Sequence, residues 1–454
     1  MSSRAARLSK VKRPLERLLS PVADIRQNEA ASALLMTLLV FLLLAAYYLL
    51  KTAREVLILT EGGAAVKSYS SAFQAMLLLF LVPAYGAFAS RVSRVPLVTG
   101  VTLFFASNLV LFTLAIGAGM HVGIIYFIWV GIFSLMVVAQ FWAFANDLYT
   151  SEQGKRLFPM IGVGASLGAW IGAVRAGALI GSRTPSSLLL TAAVVLVICA
   201  AMVPLINRIT VKGERDSKPR DEPLGREGGW SLIRSDRYLI LMAALALLLN
   251  VVNTSGEYLF GRYVVEQAHS LVPGIGAAAD AERARFIGET YSRLFGNVNL
   301  IGFLLQLFVV ARVFKYLGLE RSLFIHPLVA ATGYLMILRA PSLQLMEVLK
   351  TADNSLDYSL GNTTRQALWL PTSREAKYKA KQAIDGFMVR AGDVASAGLV
   401  FVAEWLSLSV PAFAAIQVVL VAAWLFVVVQ LAAASRGRHA PPIAPVPAPA
   451  SGSA

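Results

Sequence analysis

FWAFANDLYTSEQGKRLFP at Phe141–Pro159 and DYSLGNTTRQALWLPTSREAKYKAKQAIDG at Asp357–Gly386 are two related stretches of one 454-residue chain. Each follows a long apolar segment, passes through a Thr-Ser pair and enters a charged turn before the chain becomes apolar again. A second matched pair, Ser90-Arg91-Val92 and Ala311-Arg312-Val313, keeps the same offset of about 220 positions. Two markers with one spacing predict that the chain is built from two duplicated halves.

The composition around these stretches is typical of a membrane protein. Hydrophobic residues make up 57% of the chain and charged residues 15%, with a mean hydropathy of +0.65, whereas soluble proteins carry about 25% charged residues. Apolar runs close to the roughly 20 residues that cross a bilayer recur throughout. The predicted spans are 32–58, 70–90, 95–117, 121–147, 157–182, 187–206, 238–262, 294–317, 321–339, 343–369, 383–406 and 411–433. We therefore predict an all-α membrane protein with twelve transmembrane helices in two pseudo-repeated six-helix halves.

Basic residues cluster on one side of this predicted topology. The chain has 41 Lys and Arg against 26 Asp and Glu, yet the loops near 118–120 and 407–410 contain no Lys or Arg. The positive-inside rule then places both termini in the cytoplasm of a multi-pass protein of the cell (inner) membrane. Basicity confined to one side also argues against nucleic-acid binding.

The same reasoning divides the chain into five parts. We predict a cytoplasmic N-terminal tail over 1–29, a six-helix half over 30–206, a cytoplasmic central loop over 207–237, a second six-helix half over 238–433 and a disordered tail over 434–454. The first 29 residues lack a short apolar core followed by a cleavage pattern, so we interpret them as a tail and not as a signal peptide.

The chain shows no pattern typical of catalysis, metal binding or a bound cofactor. Its single cysteine, Cys199, excludes an intrachain disulfide. The four histidines are scattered, and none lies at metal-ligand spacing from another. The GVGASLG segment at 162–168 is no phosphate loop, because no Gly-Lys-Ser/Thr follows it. The four-residue spacing of Gly164, Gly168 and Gly172 instead predicts close helix packing in lipid. We expect no enzyme.

Ionisable and polar side chains fall inside the predicted helices, chiefly on the first and fourth helix of each half. Each charge costs about 2.5–3.5 kcal/mol at bilayer depth, so it normally faces a cavity or a partner. Polar residues at three- and four-residue spacing share one helical face, and such faces on related helices can line a central pathway. The candidate substrate-binding residues are Lys51, Arg54, Glu55, Asn146, Asp147, Glu257, Asp357, Arg365 and Arg390.

This candidate set mixes bases with acids. The bases suit phosphate oxygens, which Arg can bind through two hydrogen bonds. Glu55, Glu257 and Asp357 are expected to neutralise the bases in an empty site or to carry coupling protons. The alternative is that the charges only pair with one another or extend to the membrane surface. That alternative is favoured for Glu347 and Lys350, near the outer end of helix ten, whereas the mid-depth position of Asp357 favours a cavity.

The two repeated turns supply a second set of candidates, on the predicted cytoplasmic side. We expect ion pairs between the turns to hold the two halves together when the site faces outward. Positive-inside topology alone is the alternative explanation of their bases. The candidate gate residues are Lys155, Arg156, Glu375, Lys377, Lys381 and Asp385.

Three blocks of the chain carry a family resemblance. They are YLLKTAREVLILT at Tyr48–Thr60, the segment Phe141–Gly164, which matches most closely, and the segment Tyr358–Gly392. The chain resembles the nucleotide transporter family, the ATP:ADP antiporters of plastids and obligate intracellular bacteria. The resemblance implies twelve helices in a major facilitator-like arrangement, ATP binding and exchange of ATP for ADP. It also implies a nucleotide or phosphorylated small molecule as the partner of a monomer in the lipid bilayer.

The chain departs from the family pattern at several charged positions. Asn362 and Gln366 stand where the family typically has carboxylates, and Asp393 stands where it has a Lys. Ser71 is near the place of a Lys usual just before helix two, and the first-helix Asp is Glu55 here. The resemblance therefore predicts a retained fold around a site with rearranged charges.

The sequence as a whole predicts an integral membrane secondary transporter. In this interpretation the two halves rock around a central site and exchange nucleotides by alternating access. Two alternatives stay open. One is proton-coupled transport of another anionic or phosphorylated metabolite, with Glu257 or Asp357 titrating, and the other is a membrane scaffold or sensor that transports nothing.

Overall fold

A computed structural model describes residues 29–89, 91–182, 185–210, 229–373 and 375–439. The predicted N-terminal tail up to residue 28, most of the predicted central loop and the C-terminal tail from residue 440 lie outside the described residues. Within the described ranges the chain is helical and contains no strand.

Twelve main helices follow one another in two sets of six. The first set is α1 (Ala30–Glu61), α2 (Gly63–Ala89), α3 (Arg94–Gly117), α4 (Gly123–Leu148), α5 (Ser151–Ser182) and α6 (Pro185–Ile209). The second set is α7 (Arg237–Leu271), α8 (Ala277–Phe308), α9 (Ile325–Arg339), α10 (Leu343–Leu356), α11 (Val389–Trp405) and α12 (Val410–His439). Polar side chains start two of them: Asp236 accepts a 2.9 Å hydrogen bond from the Tyr238 amide at α7, and Ser342 accepts one from the Leu345 amide at α10.

The lengths and hydropathy of these helices confirm an all-α membrane fold. In the described part of the chain, nine helices are long and apolar enough to span a membrane, and ten if α8 and its bent continuation form one span. The shorter apolar helix α9 and the polar-faced α10 make this count consistent with the predicted twelve. The protein is therefore a multi-pass membrane protein.

Helix eight departs from its predicted position. The apolar pattern predicts a span over 294–317, but α8 begins at Ala277, and after Phe308 the chain bends by 73° into the helix Val310–Ser322. The early start has a local cause, because the ion pairs Arg283–Asp280 and Arg285–Glu289 lie three and four residues apart on the exposed first turns. A charged amphipathic turn extends a helix without adding to its apolar signal.

Glycine spacing brings α1 and α5 into close contact. A Cβ built on Gly164 would lie 2.6 Å from Thr37 Cγ2, and one on Gly172 would lie 2.5 Å from the Ala45 carbonyl oxygen. Gly168 is packed in the same way against the Phe41 backbone. These contacts confirm the close packing predicted from the four-residue spacing.

The two ends of the bundle differ in how the halves meet. We call the end with the start of α1 and the ends of α2 and α4 the N-terminal face. At the opposite face α5 packs on α8, where Ser292 Oγ donates a 2.7 Å hydrogen bond to the Ala173 carbonyl. A Cβ on Gly288 would there lie 2.6 Å from Ile180 Cδ1, so the Ile180 side chain packs directly on the Gly288 backbone. The halves are thus in tight contact at the opposite face.

The second repeated stretch contains irregular helix, whereas the first consists of the end of α4 and the start of α5, which are regular α-helix. The structure has wider π turns at Asp357–Gly361, Ala376–Ala380 and Ala383–Met388, separated by the short helix Asn362–Ala367 and a turn. π turns are rare and frequently mark functional positions in helices. They carry Asp357 and Tyr358 beside the centre of the bundle and lead into α11.

Candidate functional site

A cavity of about 740 Å³ lies between the two halves. Helices α1, α2 and α4 line it from the first half, and α7, α8 and the π turn after α10 line it from the second. The side chains around it are basic, acidic, polar and aromatic: Lys51, Arg54, Glu55, Lys67, Ser68, Ser71, Gln74, Phe127, Asn253, Thr254, Glu257, Tyr258, Phe295 and Tyr358.

The basic side chains of α1 rest on aromatic rings of the wall. Lys51 Nζ lies 4.2 Å from the centroid of the Phe295 ring and 5.3 Å from that of Tyr48. The Arg54 guanidinium lies 4.6 Å from the centroid of the Phe127 ring. Cation–π contacts of this kind hold a basic group at an apolar wall while it still faces the cavity.

A chain of ion pairs begins at Glu55, whose side chain is 1% exposed. One carboxylate oxygen lies 2.5 Å from Arg54 Nη2, and the other lies 2.6 Å from Lys67 Nζ. Lys67 Nζ also lies 3.5 Å from Glu257 Oε2 on α7. Lys67 therefore connects an acid of the first half to an acid of the second half across the cavity.

The chain of ion pairs continues into the second half. Lys350 Nζ lies 3.2 Å from Glu257 Oε1 and 3.4 Å from Asp353 Oδ2, and it donates a 2.8 Å hydrogen bond to Asn253 Oδ1. Asp353 Oδ1 is 2.9 Å from His326 Nε2 on α9. The interpretation of Lys350 as a group at the membrane surface is wrong, because only 6% of its side chain is exposed.

Lys51 stands apart from this chain. No carboxylate of the described residues lies within ion-pair distance of its ammonium, although the side chain lines the cavity. It is a cation available to an anionic ligand. The aromatic residues Phe127, Phe295, Tyr258 and Tyr358 around it offer flat apolar surfaces, so the cavity can hold an anion attached to a ring.

The remaining candidates for substrate binding lie outside this cavity. Asp357 pairs with Arg365 at 2.7 Å. Arg390 lies 3.5 Å from Asp393, and the Asp393 carboxylate accepts a 2.8 Å hydrogen bond from Asn250.

Two candidates on helix four lie at the N-terminal face. Asp147 pairs there with Arg94 at 2.7 Å, and the neighbouring Asn146 is exposed. Helix four contributes only the apolar Phe127 to the residues lining the cavity. The polar side chains that the sequence predicted on helix four come instead from α2, as Lys67, Ser68, Ser71 and Gln74.

Three of the six gate candidates, Lys377, Lys381 and Asp385, line a second, larger opening of about 1620 Å³ at the N-terminal face. Its walls are apolar residues of α2 and α4, faced by Lys377, Lys381, Asp385 and Arg390 across the gap. Lys377 Nζ donates a 3.0 Å hydrogen bond to the Leu370 carbonyl, and Lys381 Nζ donates one of 2.6 Å to Gln366 Oε1. The halves are therefore separated at this face.

The first repeated turn is held within its own half. Arg156 donates two hydrogen bonds, of 3.0 and 2.9 Å, to the Glu29 carboxylate, and the side chain of Lys155 lies outside the described residues. Glu375 lies in the second turn, at the start of the π turn Ala376–Ala380.

Burial raises the pKa of Tyr149, between α4 and α5, to about 12, so its phenol is neutral at physiological pH.

Sequence reasoning missed Lys67, Asp353 and His326 as members of one site. Lys67 precedes the predicted second span, which begins at 70, but lies inside α2 and one turn before Ser71. The available signal was a Lys close to the start of a predicted span and next in sequence to a span that holds an acid. His326 and Asp353 are 27 positions apart, and only the packing of α9 on α10 brings them together.

The described residues contain no group of three or more His, Cys, Asp or Glu side chains placed to hold a metal ion. The chemistry that this arrangement permits is reversible binding of an anion.

Comparison with known proteins connects this geometry to a family. Residues 325–434, from α9 to α12, match the sequence profile described as the TLC ATP/ADP transporter. The chain is 21% identical over 342 residues to "ADP,ATP carrier protein 1" of Chlamydia pneumoniae. That alignment covers 64% of this chain and 63% of the relative, so the chain spans less than two thirds of the relative's length.

Solved structures of similar fold are transporters of other kinds. A bacterial homologue of the iron transporter ferroportin in an inward-facing state superposes with a TM-score of 0.61, at 12% identity, covering 88% of this chain and 98% of that one. The nucleoside transporter NupG superposes with a TM-score of 0.58, again at 12% identity and covering 88% and 98% of the two chains. These likenesses confirm a major facilitator-like arrangement. The profile match over residues 325–434 and the carrier relative show that the chain is similar in sequence to ATP/ADP transporters.

Proposed function

We propose that this protein is a secondary transporter that exchanges nucleotides across a membrane by alternating access. The observation that carries the proposal is the cavity between the halves, where Lys51 and Arg54 face a space walled by aromatic rings. Ammonium and guanidinium groups suit phosphate oxygens, and the rings suit a nucleobase. The name of the Chlamydia relative, an ADP,ATP carrier, supports the same ligand class.

In this mechanism the structure represents one of two states. The opening at the N-terminal face gives access from one side, while the packing of α5 on α8 closes the other. Transport requires the reverse arrangement, in which the two halves rock about the central cavity. We propose that the N-terminal face is cytoplasmic, that the membrane is the cell membrane and that a monomer is the working unit. The halves 30–206 and 238–433 are the proposed moving bodies.

We propose that the two repeated turns close the N-terminal face in the other state. The bases Lys377 and Lys381 bond to carbonyl and amide oxygens here, so they can take carboxylate partners when the gap closes. Charge reversal of Arg156 and Glu375, singly and together, tests this gate. The measurement is the accessibility of residues in the opening at the N-terminal face to a labelling reagent. A double reversal that restores the wild-type labelling supports the gate, and three variants that all label like the wild type contradict it.

Exchange is tested with the purified protein in proteoliposomes. Vesicles loaded with ADP are expected to take up labelled ATP, AMP or ADP, and empty vesicles are expected to take up far less. Stabilisation against heat by a nucleotide panel provides a second readout, because a ligand that binds only the folded state raises Tm. Absence of both counter-nucleotide-dependent uptake and stabilisation by any nucleotide would refute the proposal.

One observation favours a second candidate, proton-coupled transport. The buried pair of His326 and Asp353 ends a chain of ion pairs that reaches Glu257 in the cavity. Histidine is the side chain that most readily changes charge near neutral pH. A pH gradient that drives uptake into vesicles without internal nucleotide supports this candidate. Uptake that needs internal nucleotide and ignores the gradient contradicts it.

A further inference from the structure

We infer that the cavity selects nucleotides by their net charge and favours monophosphates over diphosphates and triphosphates. This inference rests on the proposed function, since it assumes that a nucleotide enters the cavity. It is drawn from the balance of charged side chains around the cavity and from the isolation of Lys51.

The connected ion pairs neutralise one another. Three cations, Arg54, Lys67 and Lys350, alternate with three carboxylates, those of Glu55, Glu257 and Asp353. Every successive separation is between 2.5 and 3.5 Å. His326 contacts Asp353 at the far end and adds charge only when protonated. The chain therefore offers no net charge to a ligand.

Two basic groups between the cavity and the N-terminal face, Arg365 and Arg390, are matched in the same way. Arg365 is paired with Asp357 at 2.7 Å, and Arg390 lies 3.5 Å from Asp393. Among the described residues that line the cavity, Lys51 is the cation without a carboxylate partner. The cavity thus presents about one uncompensated positive charge.

The charge of a nucleotide rises with the number of its phosphates. A monophosphate carries roughly 1.5–2 negative charges near pH 7, and each further phosphate adds at least one more. In a cavity walled by aromatic rings and buried side chains, charge without a partner is strongly unfavourable. A monophosphate bound at Lys51 leaves the smallest excess. A divalent cation bound to a longer phosphate chain removes two charges and should lift the penalty.

The neutral part of the cavity suits the rest of a nucleotide. Phe295 and Tyr358 provide ring faces beside Lys51, and Asn253 and Thr254 provide hydrogen-bonding groups. Gln74 also lines the cavity, and its Oε1 has no hydrogen-bond partner among the described residues. The base and sugar therefore find partners that are independent of phosphate number.

The decisive experiment compares AMP, ADP and ATP on the full-length protein in nanodiscs. Dissociation constants are measured in EDTA and again with excess Mg²⁺. In EDTA we expect AMP to bind at least about tenfold tighter than ATP, because ATP brings at least two further uncompensated charges. With Mg²⁺ the difference should shrink to about threefold or less.

Charge variants then tie the selectivity to the cavity. Glu257→Gln adds one net positive charge and should shift the ratio of ATP to AMP affinity toward ATP by about fivefold or more. Glu55→Gln adds the same charge from α1 and should act in the same direction, which keeps the test available if one variant does not fold. The matched control is Glu266→Gln, also on α7, where Glu266 pairs with Arg262 outside the cavity. Its ratio should equal that of the wild type.

The ratio of two affinities in one variant is insensitive to conformational bias, because any change in the binding-competent fraction scales both constants equally. Tighter binding of ATP than of AMP in EDTA overturns the inference. So does an unchanged ratio in both cavity variants. Failure of all three nucleotides to bind refutes the proposed function itself, and the two failures are thereby distinguished.

Discussion

Lys67 is the residue whose removal should disturb the site most. Its ammonium lies 2.6 Å from Glu55 and 3.5 Å from Glu257, and it also donates a 3.5 Å hydrogen bond to the Tyr291 hydroxyl. The substitution Lys67→Met keeps an unbranched apolar stem of similar length and deletes the charge. Two carboxylates from different halves then face each other without the cation between them.

The expected loss of stability follows from burial. The side chains of Lys67 and Glu55 are 9% and 1% exposed, so solvent screens their interaction little. Removing one partner of such a buried pair typically costs about 3–5 kcal/mol, because the other charge stays buried without compensation. Arg54 still contacts Glu55, which places the expected cost near the lower end of that range. In a protein of this size this corresponds to a fall in apparent Tm of roughly 3 °C.

The assay is thermal unfolding in nanodiscs, followed by tryptophan fluorescence. Lys315→Met is the matched control, because Lys315 is exposed on the helix Val310–Ser322 and should leave Tm within about 1 °C. Glu55→Gln combined with Lys67→Met completes a double-mutant cycle. The double variant should lose much less than the two single losses together. A Tm unchanged by Lys67→Met, or strictly additive losses, would show that the ion pair is not a stabilising unit.

Three further predictions concern packing, the second repeated stretch and the ligand. Gly168→Leu should lower the free energy of unfolding by about 1–3 kcal/mol or more, since the backbone of α1 leaves no room for a side chain. The control Gly162→Leu should be nearly neutral in the same thermal melts, because no atom lies within 4 Å of the Cβ position of Gly162. Gln366→Glu should turn the 2.6 Å contact with Lys381 into an ion pair and raise stability by up to about 1 kcal/mol, a gain that Lys381→Met should abolish. Lys51→Gln should weaken nucleotide binding by about tenfold or more. The Tm of the empty protein should stay almost unchanged, because no carboxylate loses its partner. Equal stabilisation of the variant and the wild type by AMP would contradict the assignment of Lys51 as a binding residue.

The fold can be predicted from the sequence in the segments that lie in lipid, because these segments must be apolar. Apolar runs located the apolar part of the main helices, because a span must be apolar over its full depth. The same criterion fails at helix ends outside that depth. Residues 63–69 of α2 and the first turns of α8 are helical but include polar or charged side chains, so the predicted spans did not contain them. Lys67 lies in this missed segment of α2. Because the predicted second span began at residue 70, Lys67 was not among the candidate site residues.

The site could be predicted only in part, for a related reason. Glu55 and Glu257 were predicted because an unpaired acid within a predicted span is costly and therefore informative. Their connection through Lys67, and the continuation through Lys350 to His326, depends on which helices become neighbours. Hydropathy contains no information on that choice. The assignment of a polar face to helix four had the same weakness, because Asp147 belongs to the end of the helix and pairs there with Arg94.

The two repeated turns share a sequence pattern but differ in what holds them. In the first, Arg156 is fixed by two hydrogen bonds to Glu29 within a regular helix. The second lies next to two π turns, and its bases bond to the Leu370 carbonyl and to Gln366. A π turn has one residue more than the surrounding α-helix and is seldom the most stable local arrangement, and neutral acceptors hold a Lys less strongly than carboxylates. The second copy is therefore the one that can rearrange at lower cost. If the halves rock about the cavity, we expect the change in backbone geometry to concentrate in the second half, between Asp357 and Met388, while the first copy moves as a rigid unit.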